Sequence, residues 1–206
     1  MIRFIVYDPA SGEVLRSGTC HEDDLAMQAE PGLLAMEHAT ATPNTHRVVG
    51  GEPVEYSPAG RERRAAPPGQ GFVWDAATEN WIDERSLIDV RADLLLRVRT
   101  ERDARIEGGF VWDGSPFDSD AAISQPRLLG LFTTALAGGL PPEGYPWRLA
   151  DNTWRVLSAN DAVAVWAAFQ AHMAGHFSVF AAHEQAILTE ADAEVLREYD
   201  PTTLWP

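Results

Sequence analysis

Lysine is missing altogether: all 16 basic residues of this 206-residue chain are arginine. They face 31 acids, which gives a formal net charge of −15. Residues 1–80 hold 12 acids and 6 arginines, and residues 81–206 hold 19 and 10, so both parts are acidic. Nucleic-acid phosphates are gripped by clustered positive charge, and anionic membrane surfaces attract polybasic segments. No nucleic-acid partner is therefore expected, and no membrane insertion. The arginine-only usage, beside abundant alanine, reads as a GC-rich coding bias.

Cysteine is nearly missing too. Cys20 stands alone, so neither an internal disulfide nor a cysteine-rich zinc site can form. Its neighbour His21 points to the opposite face if the segment is a strand, so no activated thiol is expected. No apolar run approaches the roughly 18–20 residues of a membrane span. Residues Met1 to Asp8 read straight into a strand, without the apolar stretch and small-residue cleavage site of a secretory signal. The chain also lacks a nucleophile elbow, a phosphate-cradling glycine loop and a dinucleotide fingerprint. Glu22, Asp23 and Asp24 cluster, but nothing places them near a catalytic partner.

What is present alternates short extended pieces with helices. Residues 2–8 and 13–19 predict a strand pair turned at Pro9-Ala10-Ser11-Gly12. A short helix over 22–30 and extended pieces at Leu33–Met36, Arg47–Val49 and Pro53–Tyr56 complete a β-rich module, 1–56. Residues 57–70, with the run Arg61-Glu62-Arg63-Arg64 and then Pro67-Pro68-Gly69, read as a solvated linker. The C-terminal domain, 71–206, holds helices between aromatic hairpins. Gly71-Phe72-Val73-Trp74-Asp75 recurs letter for letter as Gly109-Phe110-Val111-Trp112-Asp113, each before a turn. A third hairpin turns at Asp151-Asn152, with Trp147 and Trp154 flanking it. Helices are expected over Asp83–Ile106, Ser119–Ala137 and from the cap Ser158, with Asp161 in capping-box position, to about Leu188. A fourth starts at Thr189. The order predicts an α+β fold.

Three groups are candidates for function. His172, His176 and His183 share one face of the third helix, and a histidine pair at i, i+4 can bind zinc. Yet Met173 stands where the metalloprotease glutamate belongs, and His176 and His183 lie about 10 Å apart along the axis. A core-facing row is the expectation, and no metal is assigned. Asp113, Ser115, Asp118 and Asp120 are rich in oxygen but miss the calcium-loop spacing; a turn followed by a helix cap accounts for them. The seven tryptophans are the third group. Trp112 and Trp154 are expected as core anchors of their hairpins. Trp74, Trp81 and Trp205 are interface candidates. So are Leu94 and Val98, because the stripe Val90, Leu94, Val98 looks too narrow to bury fully within one domain and suits self-association.

The segments Glu107–Asp120, Trp147–Trp154 and Ala171-His172, with the closing helix at Thr189–Asp192, come in the order seen in an uncharacterised domain of phage and prophage tail regions. Over about residues 85–200 the chain resembles that domain (DUF4376-like). Its motif positions here are Trp112, Asp113, Trp147, Asp151, Asn152, Trp154 and His172. The front half, through Arg3–Asp8, Met27-Gln28, Val48–Val54, Trp74 and Trp81, more weakly resembles tail-fibre assembly proteins. The resemblance implies a place beside the tail fibre or baseplate, as a virion part or assembly factor, made in the host bacterial cytoplasm. It carries over no catalytic residue and no cofactor, and threefold tail fibres favour a trimer or an adaptor on one. The competing reading is a metal-dependent hydrolase built on His172 and His176.

Overall fold

The computed structural model describes residues 1–206 and shows an α+β fold of short antiparallel strand pairs and helices. No helix is long and apolar enough to cross a membrane. The chain divides into two compact units, Met1–Arg85 and Ser86–Pro206.

In the first unit β1 (Ile2–Tyr7) lies between β2 (Val14–Cys20) and β3 (Leu34–Glu37) in an antiparallel sheet. Alternation along a strand sends successive side chains to opposite faces. Ile5 and Tyr7 accordingly pack with Val14, Ala41 and Val48, while Phe4 and Val6 pack with Cys20. A short 3-10 helix, Glu22–Gln28, covers part of the expected 22–30 helix. The hairpin β4 (His46–Val49) and β5 (Glu52–Glu55) follows.

Residues 57–70 are not a linker throughout. Pro58–Ala65 form helix α1, capped by the Ser57 hydroxyl, with proline in the first turn where its missing N–H costs nothing. Its arginines have protein partners. Arg61 pairs with Glu55 at 3.0 Å and Arg64 with Glu13 at 2.6 Å, while Arg63 donates to the Glu79 carbonyl. Arg64 also lies over the rings of Trp74 and Trp81. Composition identified the polarity of this run; it could not show the aromatic hairpin that receives it. That hairpin, β6 (Phe72–Asp75) with β7 (Asn80–Asp83), belongs to the first unit, so the division falls after Arg85.

The second unit begins with α2 (Leu87–Glu107), capped by Ser86. It starts later than expected because Asp83 is still paired with Phe72 in the hairpin and binds Arg85. Then come β8 (Phe110–Trp112) and β9 (Ser115–Phe117), α3 (Ser124–Leu136), β10 (Tyr145–Arg148) and β11 (Trp154–Leu157), α4 (Ala159–Thr189) and α5 (Ala193–Arg197). α3 begins after the expected Ser119 because that buried hydroxyl instead donates to the Ile106 carbonyl at the end of α2. Pro126 then falls in the first turn of α3, where it breaks no helical bond. The capping box of Ser158 and Asp161 starts α4 as its sequence predicts. The last helix is capped by Asp192 rather than Thr189, whose hydroxyl bonds back to Gln185 within α4.

α4 is the spine of this unit. Its buried residues Ala162, Val165, Phe169, His176, His183 and Ile187 recur at spacings that keep one stripe inward. The first half packs with α3 and both hairpins around Phe110, Phe117, Leu128, Trp147 and Leu157. The second half packs Ile187 against Val90, Leu94 and Val98 of α2 and Leu196 of α5. The narrow stripe of α2 is therefore fully used inside its own unit: Leu94 is 3% exposed and Val98 fully buried. Neither side chain is available as the interface expected from the sequence.

Candidate interaction surface

The motif residues of the second unit lie on its two hairpins, except His172, which is on α4. In both copies of the repeated peptide the leading glycine takes a positive φ, +84° at Gly71 and +96° at Gly109. A side chain at Gly109 would sit 2.8 Å from the Phe117 carbonyl oxygen, so only glycine lets the strands close. Phe110 then stacks on Phe117 across the ribbon, with ring centroids 5.4 Å apart.

Arg155 of β11 ties this ribbon to the next. Its guanidinium lies 4.5 Å from the Trp112 ring centroid and donates to Asp113 Oδ2 at 2.5 Å and Ser115 Oγ at 2.8 Å. A second tie runs from the Ala150 N–H to the Pro116 carbonyl, at 3.0 Å. Trp112 is half-buried and packs against the edge of the core, short of the buried anchor expected from the sequence. Asp151 accepts from the N–H and hydroxyl of Thr153, and these bonds hold its carboxyl below the usual carboxylate range. Asn152, at φ +68°, accepts from Arg148 at 2.7 Å. The motif's polar residues are thus turn-builders. Asp120 likewise closes the turn leading into α3, accepting from the Ile123 N–H at 2.8 Å and the Ser124 hydroxyl.

The two tryptophans of β10–β11 separate by face. Trp147 pairs with Arg155 on the inner face and is 4% exposed. Trp154 pairs with Arg148 on the outer face and is 68% exposed, with Val156 two residues on at 61%. Trp154 is therefore not the core anchor its sequence position suggested. Strand alternation assigns one tryptophan per face, and the arginine next to Trp154 takes the inner place. On the neighbouring ribbon Val111 is also exposed, at 69%. The surface signal missed in the sequence was the dipeptide Trp154-Arg155 itself: the arginine, not the tryptophan, has an inward partner.

The other interface candidates are engaged within their units. Trp74 is buried and donates from Nε1 to the Tyr56 hydroxyl at 3.0 Å; Trp81 donates to the Arg63 carbonyl at 2.8 Å. Trp205 packs beside the α2–α4–α5 core, donates to the Pro201 carbonyl at 2.9 Å and lies against His183 and Arg105.

The histidine row faces inward. His183 uses both ring nitrogens: Nε2 donates to the Thr203 carbonyl at 3.0 Å, which leaves Nδ1 to accept from the Tyr199 hydroxyl at 2.6 Å. It pins the segment after α5. The His172 and His176 rings meet edge to face at 4.5 Å, and His172 Nε2 donates to the Ile106 carbonyl at 3.3 Å. His176 Nδ1 is buried without a hydrogen-bond partner. Burial, then the nearby His172 and Arg105, lower the His176 pKa from its ordinary value. No group of three or more His, Cys, Asp or Glu side chains is arranged to hold a metal ion.

The model of a family described as a domain of unknown function (DUF4376) matches residues 89–203, more than half of the chain. No curated protein and no solved structure matches it.

Proposed function

This chain belongs to the DUF4376 domain family, and we propose that it is a non-enzymatic binding module of a bacteriophage tail. In this reading it sits beside the tail fibre or baseplate as a virion component or fibre-assembly factor. The observation that carries the reading is the exposure of Trp154 on the motif hairpin, with Val156 beside it. A large aromatic left in water on a rigid ribbon is unfavourable for the isolated chain, and tryptophan is the residue most enriched at binding hot spots. The surrounding polar motif residues are occupied in building the turns, which supports a role in presenting that face rather than in chemistry. The acidic surface favours partners with basic or neutral faces. With Leu94 and Val98 buried, this reading places self-association on the hairpin face and not on that stripe of α2.

The test has two parts. Mass spectrometry of purified virions assigns the chain to the particle if it is present and to assembly if it is absent. Co-purification with the fibre and baseplate proteins of the same phage, for wild type and Trp154→Glu, then tests the surface. Stable complexes lost in the variant support the reading; no complex with any tail protein contradicts it.

A further inference from the structure

The inner side of the β10–β11 ribbon borders an open groove that is separate from the Trp154 face. Tyr145 and Trp147 alternate onto that side, whereas Trp154 and Val156 lie on the other. The groove has a volume of about 410 Å³, within the usual range for ligand pockets. Its walls are Leu131, Leu140, Pro141, Tyr145 and Trp147, with Arg127 at the rim.

Two features of this groove are left open by the chain's own packing. Arg127 is exposed and lies 4.7 Å from the Trp147 ring centroid, yet its side chain makes no ion pair or hydrogen bond. The ring holds the planar guanidinium in place while leaving its N–H edge open. No acid lines the groove, although the chain as a whole carries −15. Asp118 and Asp120 border a second cleft that Arg127 also touches, and Asp120 is already engaged by the Ile123 N–H and the Ser124 hydroxyl. The second feature is Gly130, which lines the groove in the middle of α3. A glycine there weakens the helix, and an added Cβ would meet nothing within 4 Å, so no internal packing demands it.

We propose that this groove binds a peptide segment of a partner protein that presents an apolar side chain beside a carboxylate. The carboxylate takes the open edge of Arg127. The apolar side chain fills the space over Gly130 and between Leu131, Leu140 and Trp147. Charge complementarity selects this occupant: the groove offers one organised cation, an apolar floor and no competing acid. The groove does not depend on the Trp154 face or on the phage assignment.

The probe is the N-acetylated dipeptide amide aspartyl-phenylalanine, with its asparaginyl counterpart as control, titrated into the full chain and followed by backbone amide NMR. The expected result is saturable shifts centred on Gly130, Leu131, Thr134 and Trp147. The asparaginyl peptide should bind roughly tenfold more weakly, the loss expected for a charge-assisted bond of this kind. Arg127→Gln should erase that preference, and Gly130→Leu should block binding while keeping the dispersed spectrum of a folded chain. Equal binding of the two peptides to the wild type overturns the proposal without recourse to any variant. So do absent shifts at millimolar peptide, shifts centred elsewhere, or binding that survives Gly130→Leu. Self-association that Gly130→Leu abolishes would assign the groove to a second copy and overturn the peptide assignment.

Discussion

Arg155 lies face-on to Trp112, its guanidinium carbon 4.5 Å from the ring centroid, and this contact joins two motif segments that are far apart in sequence. The same guanidinium reaches Asp113 and Ser115, so one side chain fixes the angle between the two ribbons. Asp113 is largely exposed, and its ion pair alone is worth little. The stacking on Trp112 and the bond to Ser115 carry more of the effect. Arg155→Ala is expected to lower stability by about 1–2 kcal/mol. Arg155→Lys keeps the charge but loses the flat stacking and the fork, and should recover less than half of that. Urea unfolding measures both; a lysine variant as stable as wild type would reduce the contact to simple charge.

Trp147 and Trp154 share a ribbon and differ in consequence. Trp147→Ala removes a buried ring and is expected to cost about 3–5 kcal/mol. Trp154→Ala removes an exposed ring and should change stability by less than about 0.5 kcal/mol. Equal losses in thermal or urea unfolding would mean that the outer face is packed, which contradicts the interaction surface.

Gly130 gives a prediction of the opposite sign. Alanine at this position gains helix propensity and meets no neighbour. Gly130→Ala is expected to stabilise the chain by about 0.8–1 kcal/mol. A destabilised variant would show that the open space over α3 is taken up by the chain itself.

His176 sets a pH dependence. Burial holds its folded pKa below the ordinary value, with His172 and Arg105 acting in the same direction. The unfolded chain protonates this ring near about 6.5, so over this range the unfolded state binds more protons. The stability from keeping the ring neutral is therefore present above about 6.5 and is lost as pH falls through the lowered folded value. His46, also lowered by burial, acts the same way in the first unit, while the hydrogen-bonded Asp151 and Asp161 matter only at more acidic pH. Urea midpoints measured from pH 7.5 to 5 should fall, and His176→Gln should make that fall shallower. An identical slope in the variant would show that His176 titrates normally.

The fold was legible where local chemistry decides it. The box of Ser158 and Asp161, the hairpin at Asp151-Asn152 and the glycine opening each repeated peptide all stand out in the sequence, because caps and turns are satisfied by near neighbours. The start of α2 and the character of residues 57–70 were not legible. Both depend on the hairpin β6–β7, which includes Asp83 and draws Arg63 and Arg64 to it from a distance. Leu94 and Val98 show the same limit: a narrow stripe reads as a dimer seam until Ile187 and Leu196, about a hundred residues away, are seen to cover it. The candidate surface was half legible. The motif tryptophans were evident, but which of Trp147 and Trp154 faces solvent depended on Arg155 finding Trp112.

The most direct test of the proposed tail role is light scattering of the purified full chain with the tail-fibre protein proposed as its partner, for wild type and Trp154→Glu. The account predicts a defined complex with the wild type, and a variant that keeps its circular dichroism and melting temperature but elutes alone. A wild-type chain that ignores the fibre protein, or a Trp154→Glu chain that binds it unchanged, would contradict the assignment of this hairpin face to protein contact in the tail.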